Sequence, residues 1–167
     1  MSARADTAPS WVRAHAEATP DAPAVDSPWA RLTYGQLEAR MLALAGHLRD
    51  AGVEPGVRVL IALPLGCAAA VAGLAVQALG ACAVELDREV GADSLEGILA
   101  QTGARHAVIF GQDARRWTGR ATLTHFFVVH GSRPPERLRG LLAPAACAWV
   151  QEDGTVDPDA ASTPLDA

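Results

Sequence analysis

The chain has 167 residues, half of them hydrophobic, with a net charge of −5 and a pI near 5.4. A chain of this length makes one domain that buries about 70% of its unfolded surface, and its apolar content excludes a disordered polyelectrolyte. The acidic balance argues against a nucleic-acid partner, because such affinity rests on basic side chains at phosphates.

Ser10 is placed to cap a short helix running through Ala18, which Thr19-Pro20 ends, since the residue before proline avoids the α region. Ala24 to Asp26 and Arg31 to Thr33 read as two short extended pieces around the turn Ser27-Pro28-Trp29. Thr33-x-x-Gln36 is a capping box, in which the threonine hydroxyl and the glutamine side chain each satisfy the other residue's backbone amide. The helix it opens carries Leu37, Met41, Leu44, Ala45 and Leu48 as one apolar stripe, and Gly52 is placed to end it.

Between Arg58 and Glu85 no side chain is charged, a run long enough to cross a bilayer on length alone. Pro64, Gly66 and Gly80 interrupt it, so it reads instead as a buried strand at Val57–Leu63, an Ala-rich helix at Cys67–Leu79 and a second strand from Ala81. Asp93-x-x-Glu96 repeats the capping pattern before a helix to Thr102, which Gly103 closes. A third strand at His106–Phe110, a fourth at Phe126–Val129, a helix at Glu136–Leu142 and a last strand at Cys147–Val150 complete the alternation. The expected fold is α/β, three-layered, with a mostly parallel sheet flanked by helices and right-handed crossovers. Residues 1–150 form that unit, and residues 151–167, acidic and poor in apolar side chains, read as a flexible tail or linker.

Few residues invite a chemical reading. Glu85 and Asp87 stand at the carboxyl end of a strand, where ligands collect in open α/β sheets, and two residues apart they would face the same way. A carboxylate pair could do acid–base work, although capping of the following loop explains both. Cys67 opens a helix whose dipole could favour a thiolate, but a small packing residue is the simpler role. His125 and His130, five residues apart, fall on opposite faces of a strand and do not share a metal, and His15, His47 and His106 have no acidic or cysteine partner at ligand spacing. Gly66, Gly73 and Gly80 do not make a dinucleotide fingerprint. Cys67, Cys82 and Cys147 are odd in number and widely spaced, so neither a disulfide framework nor a zinc site follows. The groups Arg115, Arg116, Arg120 and Arg133, Arg137, Arg139 lack interleaved aromatics and read as solvated faces. No secretory signal or membrane span is expected, which makes the cytoplasm the default location.

Two longer pieces carry a resemblance. Leu32-Thr33-Tyr34-Gly35-Gln36-Leu37 and Gly80-Ala81-Cys82-Ala83-Val84-Glu85-Leu86-Asp87 resemble the first two core motifs of the AMP-forming, or adenylate-forming, acyl- and aminoacyl-activating family. That family includes acyl-CoA ligases, luciferase-like enzymes and peptide-synthetase adenylation domains. Thr19-Pro20-Asp21-Ala22-Pro23-Ala24-Val25, Leu44-Ala45-Gly46-His47-Leu48, the run from Ala51 to Val59, and Leu63-Pro64 fit in order and spacing, so the resemblance covers residues 10 to 110. The family usually has proline where Glu85 stands.

The resemblance implies the N-terminal subdomain of such an enzyme. In the family the phosphate-binding loop, a Ser/Thr/Gly-rich run closing on Pro-Lys-Gly, comes after this region, as do the adenine pocket, the ribose-binding acid and the catalytic lysine. Here Asp157 to Ala167 shows no such loop, and all 14 basic residues are arginine, so there is no lysine. The resemblance therefore implies a chain truncated before the phosphate loop, or one half of a split enzyme, inactive in isolation. ATP and Mg are expected only for a complete enzyme, and no catalytic, cofactor-binding or metal residue is assigned. A non-catalytic interaction module on the same scaffold is the alternative, and an unrelated small α/β nucleotide binder the third. With the family's second layer absent, an apolar sheet face is expected to be uncovered, leading to self-association or to binding of a complementing C-terminal half.

Overall fold

A computed structural model describes residues 8–130, 142 and 145–157. Helix α1 (Ala8–Ala18) leads into the antiparallel pair β1 (Pro23–Asp26) and β2 (Arg31–Thr33), and then α2 (Tyr34–Asp50). Strand β3 (Arg58–Ala62), α3 (Cys67–Ala78), β4 (Cys82–Glu85), α4 (Ala92–Thr102) and β5 (His106–Phe110) follow. A 3-10 helix (Gly111–Trp117), β6 (His125–His130) and β7 (Ala146–Gln151) complete the described elements. The main sheet has the order β4-β3-β5-β6-β7 with every pairing parallel. The alternation of apolar runs with helical segments thus yields the α/β fold expected of it.

Alternate strand residues feed two cores. Val59, Ile61, Val108, Phe127 and Val129 point to α1, α2 and α3, where Val12, Leu37, Met41, Leu48 and Val71 meet them. Leu60, Ala107, Ile109, Phe126, Val128 and Trp149 point the other way and pack with Leu95 and Leu99 of α4, with Trp117 and with Leu142. Among the described residues the expected bare apolar face is therefore not found: β3, β5 and β6 are covered on both sides, because α4 and the 3-10 helix supply the second layer.

The capping box at Thr33 forms in full, with Gln36 N donating to Thr33 Oγ1 at 3.4 Å and Thr33 N donating to Gln36 Oε1 at 3.1 Å. Gly52 follows the cap of α2 with φ +90° and Val53 N reaches back to Leu48 O at 3.0 Å, the left-handed exit that only glycine takes without strain. Two other caps differ from expectation. Helix α1 already runs at Ala8, so Ser10 lies inside it, and Pro9 fits the first turn because its missing amide needs no partner there. Helix α4 starts after Gly91 with no side-chain cap, so Asp93 sits in the first turn, where it meets the helix dipole instead of closing a box with Glu96.

The expected helix Glu136–Leu142 lies outside the described residues except for Leu142, which is helical and buried. Residues 151–157 differ from the tail expected there. Gln151 N donates to Thr155 O at 2.8 Å, Val156 bridges back to Val150, and Arg40 holds Asp153 at 3.0 Å. Their acidic composition hid this, since Asp153 is paired and both Gly154 and Val156 are buried.

Candidate functional site

All five parallel strands end on the same edge, and the loops leaving β3, β4 and β5 enclose a cavity there of about 240 Å3. Open parallel sheets gather ligands at this edge because the strand ends splay into loops free to vary. Pro64 and Leu65 from the β3–α3 loop, Arg88 beyond β4, Phe110 at the end of β5, Val129 of β6 and Glu152 beyond β7 line it, with Trp29 at its rim. Leu65 is 91% exposed and Trp29 60% exposed.

Among the described residues lining the cavity, Arg88 is the one basic side chain. Its Nε donates to Asp113 Oδ2 at 2.7 Å, and its guanidinium carbon stands 4.8 Å from the centre of the Phe110 ring. The hydrogen bond to Asp113 raises the Arg88 pKa against the opposing effect of burial. The charge is thus already neutralised, and Glu152 adds a carboxyl group at the same cavity. The arrangement suits a small, largely apolar guest with one or two polar atoms. It does not suit a triphosphate: among the described residues lining it there is no free cation and no glycine-rich cradle of amides, and the chain has no lysine. No step through ATP is assigned to these residues.

The residues singled out from the sequence lie elsewhere. Asp87 falls beyond β4, which ends at Glu85, so the strand alternation that was to align the two carboxyls does not reach it. Asp87 Oδ1 accepts from Glu89 N at 2.8 Å and shapes the loop, while Glu85 is exposed beside Gly73 of α3. Cys67 is buried at the first turn of α3, its Sγ donating to Ala30 O at 3.3 Å and lying 3.6 Å from Ser27 Oγ, which makes it a packing residue.

His125 and His130 occupy opposite ends of β6, as their spacing requires. The parallel register instead places His125 against His106, with ring centres 5.0 Å apart and planes 17° from parallel. His106 Nε2 donates to Ala51 O at 2.8 Å, which fixes its tautomer. Burial lowers the pKa of both rings, with Arg105 adding to the effect. His15 stacks on Tyr34 at 4.7 Å, and His130 meets Trp149 edge-on at 5.8 Å. Among the described residues no cluster of ligating side chains could hold a metal, and no helix is long and apolar enough to cross a membrane. The sequence reading missed Arg88, Trp29 and Glu152. For Arg88 a signal was available, since it directly follows the Leu86-Asp87 exit from a strand.

Comparison with known proteins agrees with this architecture. The family model described as AMP-binding enzyme matches residues 12–161. Phenyloxazoline synthase MbtB of Mycobacterium sp. (strain MCS) is 38% identical over 95 residues, which are 57% of this chain and 8% of that protein. Pyochelin synthetase PchE of Pseudomonas aeruginosa is 47% identical over 68 residues, 41% of this chain and 5% of that protein. Among solved structures, the anthranilate CoA ligase AuaEII in complex with anthranoyl-AMP superposes with a TM-score of 0.71 at 18% identity, over 81% of this chain and 27% of that one. The N-terminal domain of FACL13 from Mycobacterium tuberculosis gives 0.66 at 23% identity, over 84% of this chain and 36% of that one. The chain therefore spans less than a tenth of those curated relatives and about a third of the structural ones. With the family model covering nearly its whole length, the chain belongs to the AMP-binding enzyme family as an N-terminal part of the adenylate-forming domain.

Proposed function

We propose that the chain serves as the N-terminal part of an enzyme that activates a carboxylate by adenylation, and that these 167 residues are not catalytic alone. The observation that carries this reading is the state of the strand-end cavity: Arg88 is committed to Asp113, and the chain has no lysine to replace it. Adenylyl transfer builds negative charge that must meet positioned donors and cations, so those groups come from other residues of a complete enzyme, which would also handle ATP and Mg. Exposed Trp29 and Leu65 at the cavity rim offer an apolar surface for that complementing part. Such an enzyme would work in the cytoplasm.

A second reading, a non-catalytic module kept for its surfaces, has support in the closure of both sheet faces by the chain's own helices. Sequencing the coding region downstream separates the two: a Ser/Thr/Gly-rich segment closing on Pro-Lys-Gly favours the first, and its absence the second. Calorimetric titration of the chain with MgATP tests what both share. No saturable heat is expected, and stoichiometric binding would overturn the account of the cavity.

A further inference from the structure

The chain reverses direction as it leaves β7. Gly154 N donates to Gln151 O at 2.8 Å, Gln151 N to Thr155 O at 2.8 Å and Asp157 N to Trp149 O at 2.9 Å, so residues 155–157 run back beside the strand. Asp153 Oδ1 accepts from Thr155 N at 2.9 Å, which closes the turn from within.

A side chain of α2 grips this turn from outside. Arg40 donates from Nη1 to Asp153 O at 3.0 Å and sets Nη2 3.0 Å from Asp153 Oδ2, so one planar fork holds both the backbone and the carboxylate. The two side chains are only 22% and 31% exposed, and salt screens such a pair less than one on the open surface. Beneath the grip, Gly154 rests on Val71 of α3. Val71 stands three residues beyond Ala68, on the same face of the helix, and Ala68 lines the strand-end cavity. Glu152, the neighbour of Asp153, lines that cavity as well. The clasp and one wall of the cavity are therefore adjacent residues of a single turn.

We propose that Arg40, which is outside the cavity lining, is a positioning residue for the strand-end cavity: its clasp on Asp153 seats the turn 151–157 on α3 and keeps Glu152 in the cavity wall. Release of the clasp lets the turn lift from Val71 and widens the cavity on its β7 side. The proposal concerns the shape of that cavity, so its test is separate from those of the adenylation reading.

15N–1H NMR of the full 167-residue chain, with amide exchange, compares wild type with Arg40→Met, which keeps an apolar side chain of similar length without the fork. Exchange at least tenfold faster is expected at Gln151, Gly154 and Asp157, together with shifts at Glu152, Ala68 and Gln112, while Leu60 and Val108 in the sheet keep their protection. Asp153→Asn retains an oxygen for Thr155 N and loses the charge facing Arg40, so it should reproduce the cavity shifts, and it decides the matter if the Arg40 variant does not fold. Unchanged exchange in the turn, changes in the turn that leave Ala68 and Gln112 unmoved, or equal acceleration at Leu60 and Val108 would each overturn the proposal.

Discussion

Gly154 lies so close to Val71 that a Cβ on it would stand 2.7 Å from Val71 Cγ2 and 2.9 Å from Val71 Cβ. The turn after β7 thus rests its backbone directly on α3, and Gly154 also holds φ +86°, where other residues are strained. Replacing Gly154 by Ala should cost about 2–4 kcal/mol, combining left-handed backbone strain with overpacking against a fully buried valine. Urea denaturation measures it. An unchanged midpoint would mean that the turn lifts freely from α3.

Thr33→Ala should lower stability by about 1 kcal/mol, the usual loss for an N-cap, because Gln36 N then has no partner for its 3.4 Å bond. Gln36→Ala should cost less, since it frees only the Thr33 amide. Equal midpoints for wild type and Thr33→Ala would show that water caps this helix as well.

Mild acid should weaken the fold through its buried histidines. Burial lowers the pKa values of His106, His125 and His130 from histidine's ordinary 6.5. Below about pH 6.5 the unfolded chain then binds more protons than the folded one, so this stability is fully present above 6.5 and is lost as pH falls toward the folded values. A urea midpoint lower at pH 5.5 than at pH 7.5 is expected. His125→Phe keeps a ring over His106 but removes one proton site, so it should shrink the difference, and a midpoint independent of pH would contradict the buried stack.

Because both faces of the sheet are covered, the isolated chain should behave as a 17.4 kDa monomer and bind little hydrophobic dye. Light scattering at micromolar concentration checks this. Dimers with strong dye fluorescence would restore the bare-face expectation drawn from the sequence.

What the sequence made legible was local. Val59 to Ala62, closed by the Leu63-Pro64 exit, announces a buried strand, and Thr33 with Gln36 announces a helix start, because each signal is carried within a few residues. The candidate site was not legible in the same way. Arg88 meets Asp113 across 25 residues, His106 meets His125 through the register of two parallel strands, and Arg40 meets Asp153 across 113. No periodicity reports such pairings. The second sheet face was misjudged for a related reason: Trp117, Leu95 and Leu99 are spread over α4 and a 3-10 helix, and they cover it only once the strands are in order.

The central claim is that these residues supply scaffold and not phosphate chemistry, and pyrophosphate exchange tests it most directly. Purified chain, ATP, Mg and labelled pyrophosphate are combined with a panel of carboxylic and amino acids. With Arg88 held by Asp113 and no lysine in the chain, exchange should not rise above the no-enzyme control for any acid. Substrate-dependent exchange well above that control would contradict the account.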